Sequence, residues 1–486
     1  MNKQALLVSS KSAYFRLGGG ITKKKYIALI VVLLIFPIII LAVSFIRTKD
    51  TNPITLTLWH NYGGQMKDTM DEMVEEFNGT VGLKKGVIIN VTSISGSSTL
   101  HDKLTMAANG DPGAPELPDI TTAYPKTAMI LAEKELLVNL DDQFSETELL
   151  NYIPRFVEEG RLDGGALYVF PTAKSTEVLF INSTIFDRFQ KATGASYEEL
   201  STFEGIMRTA KLYYEWTDNQ TPDIPNDGKT FYVPDSLFNL SFIGCEQLSS
   251  SFIKDNQIDF SNPVVKNIWE SYYSPAVQGE VAIFDGYASD LAKTGEIVCS
   301  TGSTAGVLFF SPTVTYADNT TEEANLKLLP YPIYEGGEKI ALQRGSGMCV
   351  IKSDKKKEAL AALFLKWFTS PANNLRFVSS TGYLPVTEEA FGDIMLKEID
   401  TITDDNIKEL LTIARQMQME YEFCISPLFD GVDVLQSNYE QGFRTIAQSS
   451  RDQYITLLKN ADPQEALTES TKGKYEEFSD TLKSAR

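Results

Sequence analysis

The chain has 486 residues, of which 43% are hydrophobic and 11% aromatic, so it has enough apolar residues for more than one folded core. Its 64 acidic residues outnumber its 44 basic residues. The resulting net charge of −20 argues against a nucleic-acid-binding protein, because such proteins present a basic face. Only two histidines and four widely spaced cysteines are present, which argues against a histidine-rich metal centre, a zinc ribbon and a C-x-x-C redox site.

The first 53 residues differ in charge from the rest of the chain. They carry eight basic and one acidic residue, whereas the other 433 residues carry 36 basic and 63 acidic ones. Residues 26–46 are uncharged, and a helix of that length covers about 30 Å, the thickness of the hydrocarbon core of a bilayer. Six basic residues precede this stretch, so the positive-inside rule predicts a cytoplasmic tail at 1–25, a single transmembrane helix at 26–46 and a linker at 47–53.

A cleaved signal peptide is the alternative to a membrane anchor. Ala42-Val43-Ser44 resembles a small-residue cleavage site, although the apolar run is longer than the usual h-region. Both interpretations place the acidic body outside the cytoplasm, and the anchor places the protein in the cell membrane. Disulfides are permitted outside the cytoplasm, but the sequence leaves open whether Cys299 and Cys349 pair.

The first part of the body alternates strand and helix patterns. Three short runs with strand character are separated by runs with apolar residues at helical spacing, and the second and third strands are each followed by a helix. The predicted strands are 54–59, 87–91 and 119–122. The first predicted helix begins at Met66, and the other two cover 100–108 and 126–135. A β-α-β-α-β order predicts a parallel sheet with right-handed crossovers.

Later segments repeat these patterns. Strands are predicted at 166–171, 178–181, 297–300 and 347–351. Helices are predicted at 203–215 and 355–369, and the last hundred residues have a mostly helical pattern.

Sequence motifs for catalysis or cofactor binding are missing. The chain has no G-x-G-x-x-G after a strand, no G-x-S-x-G and no H-E-x-x-H, and Gly228-Lys229-Thr230 lacks the upstream glycine of a P-loop. Asp141-Asp142 fits a helix start better than a catalytic pair, and His60 fits a packing or binding role better than a general base. The sequence therefore predicts no enzyme, no cofactor and no metal site.

Polar and aromatic residues follow several predicted strands. Because ligands of open α/β sheets bind beyond the carboxyl ends of strands, these residues are candidates for ligand contacts. They are Tyr62 and Gln65 after the first strand, Tyr124 after the third, Ser175 and Glu177 after Pro171, Ser303 after Cys299, and Tyr383 in a T-G-Y-L-P turn. Aromatic faces beside hydroxyl, amide and carboxyl groups suit a sugar.

Five segments, in this order, resemble family-1 extracellular solute-binding proteins, the receptors of ABC importers. They are ITLTLWHNYGG at 54–64, LPDITTAYPKTAMILAEKELLVNLDD at 117–142, VFPTAKSTEVLFINSTIF at 169–186, TGEIVCSTGSTAGV at 294–307 and the segment from SGMCVIKSD to STGYLPV at 346–386. The resemblance covers roughly residues 54–486.

This resemblance implies an α/β fold of the two-lobed, type II periplasmic-binding architecture, in which each lobe is discontinuous. The expected first lobe is 54–165 with 306–382, and the expected second lobe is 166–305 with 383–486. The lobes would close on a solute, and the closed form would deliver it to the permease subunits of the importer. A membrane-anchored extracytoplasmic carbohydrate-active hydrolase or a sensory ectodomain is the alternative.

Within the family, the Gly-Ser turn and the T-G-Y-L-P turn look most like glycerol-phosphate receptors. That likeness implies Ser175, Ser303, Gly345 and Tyr383 as ligand contacts. However, Pro125 stands where those receptors have a glutamate, and residues 424–429 contain no counterpart of their phosphate-binding arginine. We therefore expect a neutral sugar, oligosaccharide or polyol, unless Arg344, beside Gly345, holds an anion by itself.

Overall fold

The computed structural model describes residues 52–94, 96–162 and 164–484. Residues 54–486 form one compact unit. The expected transmembrane helix at 26–46 lies outside the described residues. Among the residues described, no helix combines the length and the apolar character needed to cross a membrane.

The described part of the chain mixes short strands with helices of all lengths. The strands are β1 (Ile54–His60), β2 (Val87–Ser93), β3 (Ile120–Ala123), β4 (Arg161–Leu162), β5 (Ala166–Leu167), β6 (Phe170–Pro171), β7 (Glu177–Asn182), β8 (Tyr232–Val233), β9 (Ile253–Lys254), β10 (Gln257–Ile258), β11 (Cys299–Ser303), β12 (Thr313–Thr315), β13 (Thr321–Glu323), β14 (Leu326–Pro330), β15 (Ile340–Leu342), β16 (Gly347–Val350) and β17 (Glu422–Cys424).

The α-helices are α1 (Gly64–Phe77), α2 (Leu83–Lys85), α3 (Ser97–Asn109), α4 (Pro125–Glu133), α5 (Glu146–Leu149), α6 (Pro154–Glu159), α7 (Ser183–Thr193), α8 (Phe203–Asp218), α9 (Leu237–Gln247), α10 (Pro263–Gln278), α11 (Ala288–Thr294), α12 (Lys355–Phe368), α13 (Pro371–Val378), α14 (Met395–Thr401), α15 (Asp405–Glu420), α16 (Val432–Leu457), α17 (Pro463–Thr471) and α18 (Lys474–Ser484).

The first sheet has the strand order β2-β1-β3-β16-β6. β1 pairs in parallel with both β2 and β3, which confirms the predicted parallel β-α-β-α-β start. Leu56 and Leu58 of β1 are fully buried, as the alternating pattern requires. On α1, the predicted face of Met66, Met70 and Phe77 packs into the same core. We call this sheet and its helices the first lobe.

The second sheet has the order β14-β7-β11-β8 and defines the second lobe. β7 is antiparallel to both β14 and β11, and β11 is parallel to β8. All six residues of β7 are buried, because strands flank it on both edges and both faces are covered. Helices α9, α10, α16 and α17 pack on one another in this lobe.

Three chain segments lie side by side where the chain passes between the sheets: 172–176, 343–346 and 383–385. Ser175 exchanges backbone hydrogen bonds with Arg344 (2.9 and 2.7 Å), and Lys174 exchanges them with Leu384 (3.3 and 2.6 Å). These segments form a three-stranded connection between the lobes, as expected of a two-lobed protein with discontinuous lobes.

Sheet membership differs from the lobe boundaries expected from the sequence. Residues 166–171 were expected in the second lobe, but β6 belongs to the first sheet, where the Phe170 ring stacks on Phe144 at 4.0 Å. Residues 306–346 were expected in the first lobe, but β14 pairs with β7 in the second sheet and buries Leu328 there. At both points the chain therefore passes from one lobe to the other later in the sequence than expected. The expected boundary at 382/383 remains a prediction.

All four cysteines are free thiols. Cys245, Cys299 and Cys349 are buried, and Cys424 is half-buried. Cys299 lies in the second sheet and Cys349 in the first, where each packs as a small apolar side chain.

Candidate functional site

A cavity of about 520 Å³ lies between the two lobes. This volume is within the range of about 300–1,000 Å³ that is typical of small-ligand sites. The first lobe contributes the residues after β1 and β3, which is the carboxyl edge of its parallel strands. The second lobe contributes β11 and the start of α11. We call this space the front cavity.

Seven of the nine residues predicted as ligand contacts line the front cavity. They are Tyr62, Tyr124, Ser175, Ser303, Arg344, Gly345 and Tyr383. The hydroxyl of Ser303 donates to that of Ser175 at 3.2 Å, across the boundary between the second sheet and the connecting segments. The folded chain therefore brings together seven of the predicted residues, which lie far apart along the sequence.

The other two predicted residues do not line this cavity. The amide of Gln65 is turned away and donates to the backbone oxygen of Ser380 at 2.9 Å. Glu177 is only 2% exposed and lies behind Arg344 at the start of β7. Both positions follow from the local structure, because Gln65 is in the first turn of α1 and Glu177 is in a strand that is buried on both faces.

Two helices of the first lobe begin at the front cavity. Gly63 is the N-cap of α1 and Tyr124 is the N-cap of α4, and neither helix start has a side-chain capping hydrogen bond. Pro125 occupies the first position of α4, where its fixed φ favours helix initiation. Because the first N–H groups of a helix have no partner inside the helix, the start of α1 keeps free backbone donors, whereas Pro125 removes one of those at the start of α4.

Exposed aromatic rings face the cavity from both lobes. Tyr124 of the first lobe is half-exposed, while Tyr287 and Phe309 of the second lobe are 77% and 59% exposed. Tyr62 and Tyr383 are buried instead and pack edge to face, 6.0 Å apart. The cavity is thus lined by two buried tyrosines that pack on each other and by three more exposed aromatic rings.

The sequence analysis missed Tyr287, Phe309 and Asp235, which also line the cavity. Tyr287 is the N-cap of α11, and Asp235 directly precedes the N-cap of α9. The nearby strand β8 has only two residues, which is too short for an alternating pattern. The Asp-Gly dipeptide directly before Tyr287 is a turn signal from which the loop at this position could have been predicted.

The guanidinium of Arg344 lies between two carboxylates of the second lobe. Its Nη1 donates to Oε1 of Glu177 at 3.0 Å and also to a carboxylate oxygen of Asp235. Desolvation raises the pKa of Glu177 above its usual range, and Arg344 offsets only part of this effect. Since two carboxylates face one guanidinium, Arg344 has no uncompensated positive charge for an anionic ligand.

The other cation of the front cavity is also paired. Lys293 donates to a carboxylate oxygen of Asp290, one turn earlier on α11, at 3.0 Å. Among the described residues that line this cavity, each basic side chain therefore contacts a carboxylate.

His60, which directly precedes the cavity residues Asn61 and Tyr62, is packed and neutral. Its Nδ1 accepts the N–H of Tyr62 at 3.1 Å, and its ring stacks on that of Tyr62 at 5.2 Å. Desolvation lowers the pKa of His60 to about 4. Within the described residues, no group of three or more His, Cys, Asp or Glu side chains is arranged to hold a metal ion. The contacts of the His60 ring fit packing, one of the two roles predicted for it, and the other role, ligand binding, stays a prediction.

The sequence matches one protein family model over residues 72–405, that of bacterial extracellular solute-binding proteins. No curated protein matches the chain.

Solved structures with the same fold cover nearly the whole body. One is a cyclic alpha-maltosyl-1,6-maltose binding protein from Arthrobacter globiformis, with 18% identity, a TM-score of 0.63, and coverage of 89% of this chain and 100% of that chain. The ABC substrate-binding protein Lmo0181 from Listeria monocytogenes, in complex with cycloalternan, has 17% identity and a TM-score of 0.61, covering 88% and 99%. UgpB from Mycobacterium tuberculosis, in complex with glycerophosphocholine, has 16% identity and a TM-score of 0.62, covering 88% and 99%.

Proposed function

We propose that this chain, which belongs to the bacterial extracellular solute-binding proteins, binds a neutral sugar or sugar-like polyol between its lobes for an ABC importer. The lobes close on the solute, and the closed form presents it to the permease subunits. No bond is made or broken in this function.

The observation that carries the proposal is the chemistry of the front cavity. Exposed rings of Tyr124, Tyr287 and Phe309 offer faces on which the C–H surface of a sugar stacks. The hydroxyls of Ser175 and Ser303 and the uncapped starts of α1 and α4 offer hydrogen bonds to sugar hydroxyls. Two of the structural relatives are described with oligosaccharide ligands, which supports the same choice.

The relative in complex with glycerophosphocholine suggests a phosphate-bearing ligand as the competing choice. The ion pairs of Arg344 and Lys293 argue against it here, because an anion would have to compete with carboxylates that already neutralise both cations.

Calorimetric titration with a panel of neutral sugars, glycerol 3-phosphate and glycerophosphocholine tests this choice. A neutral sugar should bind with an affinity that hardly changes between low and high salt, because it carries no charge to be screened. Tight, salt-sensitive binding of a phosphate compound that is lost in Arg344→Ala would contradict the proposal.

Replacing Tyr287 with alanine should weaken sugar binding by about 1–2 kcal/mol through lost stacking and contact area. The melting temperature of the unliganded protein should stay unchanged, since the ring is 77% exposed. Leu150→Ala is the matched control, because Leu150 is 80% exposed and lies outside the cavity. Equal affinities for the Tyr287→Ala variant and the unmodified protein would remove Tyr287 from the site.

We also propose that residues 26–46 keep the protein in the membrane as a single-pass anchor. The support is the uncharged stretch of bilayer length behind six basic residues. After expression in a bacterium with a C-terminal tag, the protein should fractionate with membranes at its full length. Recovery of a shortened, soluble form that begins near Phe45 would favour the cleaved signal peptide.

A further inference from the structure

Lysines collect at the amino edge of the first-lobe sheet, the edge opposite the front cavity. Residues 83–86 and 352–358 together carry six lysines and only two acids, although the body as a whole is strongly acidic. Four of the six are exposed and form no ion pair with another described residue. They are Lys84, Lys85, Lys352 and Lys356. We call the surface formed by these two segments the lysine edge.

Printed contacts bring the two segments to the same edge of the sheet. Ile54 donates its N–H to the backbone oxygen of Gly86 at 2.8 Å, so β1 starts directly beside the first segment. Asp119, just before β3, accepts the N–H of Thr57 at 2.8 Å and the ammonium of Lys357 at 3.0 Å. Because β16 runs antiparallel to β3, its end and the start of α12 lie at this edge as well.

The two acids of the lysine edge are occupied by local contacts. The side chain of Glu358 is 2% exposed and accepts from Lys355 at 2.8 Å. Asp354 is the N-cap of α12, and its side chain accepts two backbone N–H groups of that helix. The four unpaired lysines therefore present their positive charge to the surroundings.

The lysine edge lies on one face of the sheet. α2 continues α1 through residues 78–82, and α1 packs beside α12, with the rings of Phe77 and Phe364 5.2 Å apart. α3 covers the other face, where Leu104 and Trp59 share a separate cluster. Three exposed acids adjoin the helices of that other face. They are Glu116, Glu133 and Glu135. The positive surface is therefore confined to the side of α1 and α12.

The chain enters the body at the lysine edge, since β1 begins there. Residue 54 follows the proposed anchor at 26–46 after seven residues, which span at most about 25 Å when fully extended. A tether of this length keeps the edge within reach of the bilayer surface. Anionic lipid headgroups attract nearby lysines, whereas charges farther away than one Debye length, about 10 Å, are screened.

We propose that the lysine edge docks on anionic lipid headgroups of the membrane that holds the chain. The four unpaired lysines contact lipid phosphates, and Leu83, which is 73% exposed, packs among the headgroups. The front cavity, at the opposite edge of the sheet, then stays open to the medium from which the solute is captured. This inference rests on the proposed anchor, because the tether supplies the proximity.

The test places the body, residues 54–486, on vesicles through an N-terminal hexahistidine tag and a nickel-chelating lipid. The body forms one compact unit with a core of its own residues. The remaining lipid is phosphatidylcholine alone or an equal mixture with phosphatidylglycerol, neither of which has an amine. Sulfosuccinimidyl acetate then acetylates accessible lysines, and mass spectrometry of the digested protein gives the rate at each position.

The four unpaired lysines should react at least about fivefold more slowly on anionic than on neutral vesicles. High salt should remove this difference, because it shortens the Debye length to about 3 Å at 1 M. Four other lysines serve as an internal control, because they are exposed, form no ion pair with a described residue and lie on α7, on β9 and at the ends of α16 and α17 in the second lobe. They are Lys191, Lys254, Lys459 and Lys472. Their rates should stay within about twofold.

The variant Lys84→Gln/Lys85→Gln should at least halve the slowing at Lys352 and Lys356, since it removes two of the four charges that hold the edge to the lipid. The matched variant Lys191→Gln/Lys254→Gln should leave that slowing unchanged. Both pairs are exposed, so equal melting temperatures of the two variants confirm that the fold is retained.

The outcomes separate this inference from the proposed function and from the anchor. Equal slowing of the edge and control lysines, or the same slowing on neutral vesicles, overturns the docking surface. Stronger slowing by soluble polyglutamate than by vesicles of the same charge concentration makes a polyanion the partner and overturns the bilayer. A failure to bind sugar, or a native chain cleaved near Phe45, overturns the receptor or the anchor and leaves these acetylation rates unchanged.

Discussion

Replacing Arg344 with alanine is expected to lower the free energy of unfolding by about 2–3 kcal/mol near pH 8 and by clearly less near pH 5. The variant leaves Glu177 buried without its cation, and the cost stays below that of a fully buried pair because the Arg344 side chain is 30% exposed. Urea unfolding at the two pH values measures the difference.

The pH dependence follows from the raised pKa of Glu177. Burial raises this pKa in the folded state above its unfolded value, so the carboxyl contributes stability that is present in acid and is lost as the pH rises through the folded-state pKa. Removing Arg344 raises the pKa further and extends the loss to higher pH. At acid pH Glu177 is protonated in the variant, and the missing guanidinium matters less.

Glu177→Gln is the control, because it removes the buried charge and keeps the shape. On that background Arg344→Ala should cost less and should show little dependence on pH. An equal loss of stability at both pH values, with or without Glu177→Gln, would show that Arg344 stabilises the fold through packing alone.

Replacing Gly345 with alanine is expected to lower the free energy of unfolding by about 2–4 kcal/mol. Gly345 has φ +93°, and a Cβ there would lie 2.8 Å from the oxygen of Ala173 and 2.9 Å from Cα of Lys174. Both are backbone atoms of the neighbouring connecting segment, so neither can turn aside. The added methyl would push apart two of the three segments that join the lobes.

The variant Gly336→Ala separates the cost of a positive φ from the cost of the steric overlap at Gly345. Gly336 has φ +80° and open space around the position of a Cβ, so alanine there should cost only about 1 kcal/mol. Thermal and urea unfolding of the two variants give the difference between them. Equal destabilisation by both substitutions would mean that the close approach of the connecting segments adds nothing to the cost.

The first-lobe sheet was predictable because its elements are local and amphipathic. β1 and α1 show clear periods of two and of about 3.6 residues, and Tyr62 and Tyr124 follow directly from where β1 and β3 end. The lobe boundaries were not predictable, since β14 pairs with β7 across more than a hundred residues and only the folded chain reveals that pairing.

The second-lobe half of the cavity was harder to predict for a different reason. Tyr287 and Asp235 stand beside helix starts that follow very short strands or loops, where no periodic pattern marks the edge of the sheet. Glu177 was predicted as a ligand contact because it follows the predicted strand that ends at Pro171, but Glu177 itself begins a strand that is buried on both faces. Its contact with the cavity is indirect, through Arg344.

Three buried thiols and one half-buried thiol, Cys424, make this receptor a suitable scaffold for an optical reporter. Desolvation raises the pKa of Cys245 and of Cys424 to about 12, and it also raises those of Cys299 and Cys349, so little thiolate is present at neutral pH to react with a maleimide dye. A single exposed cysteine introduced elsewhere should therefore react with the dye faster than the native ones. Ser289→Cys, at the mouth of the front cavity, would place a dye where lobe closure changes its surroundings and hence its fluorescence.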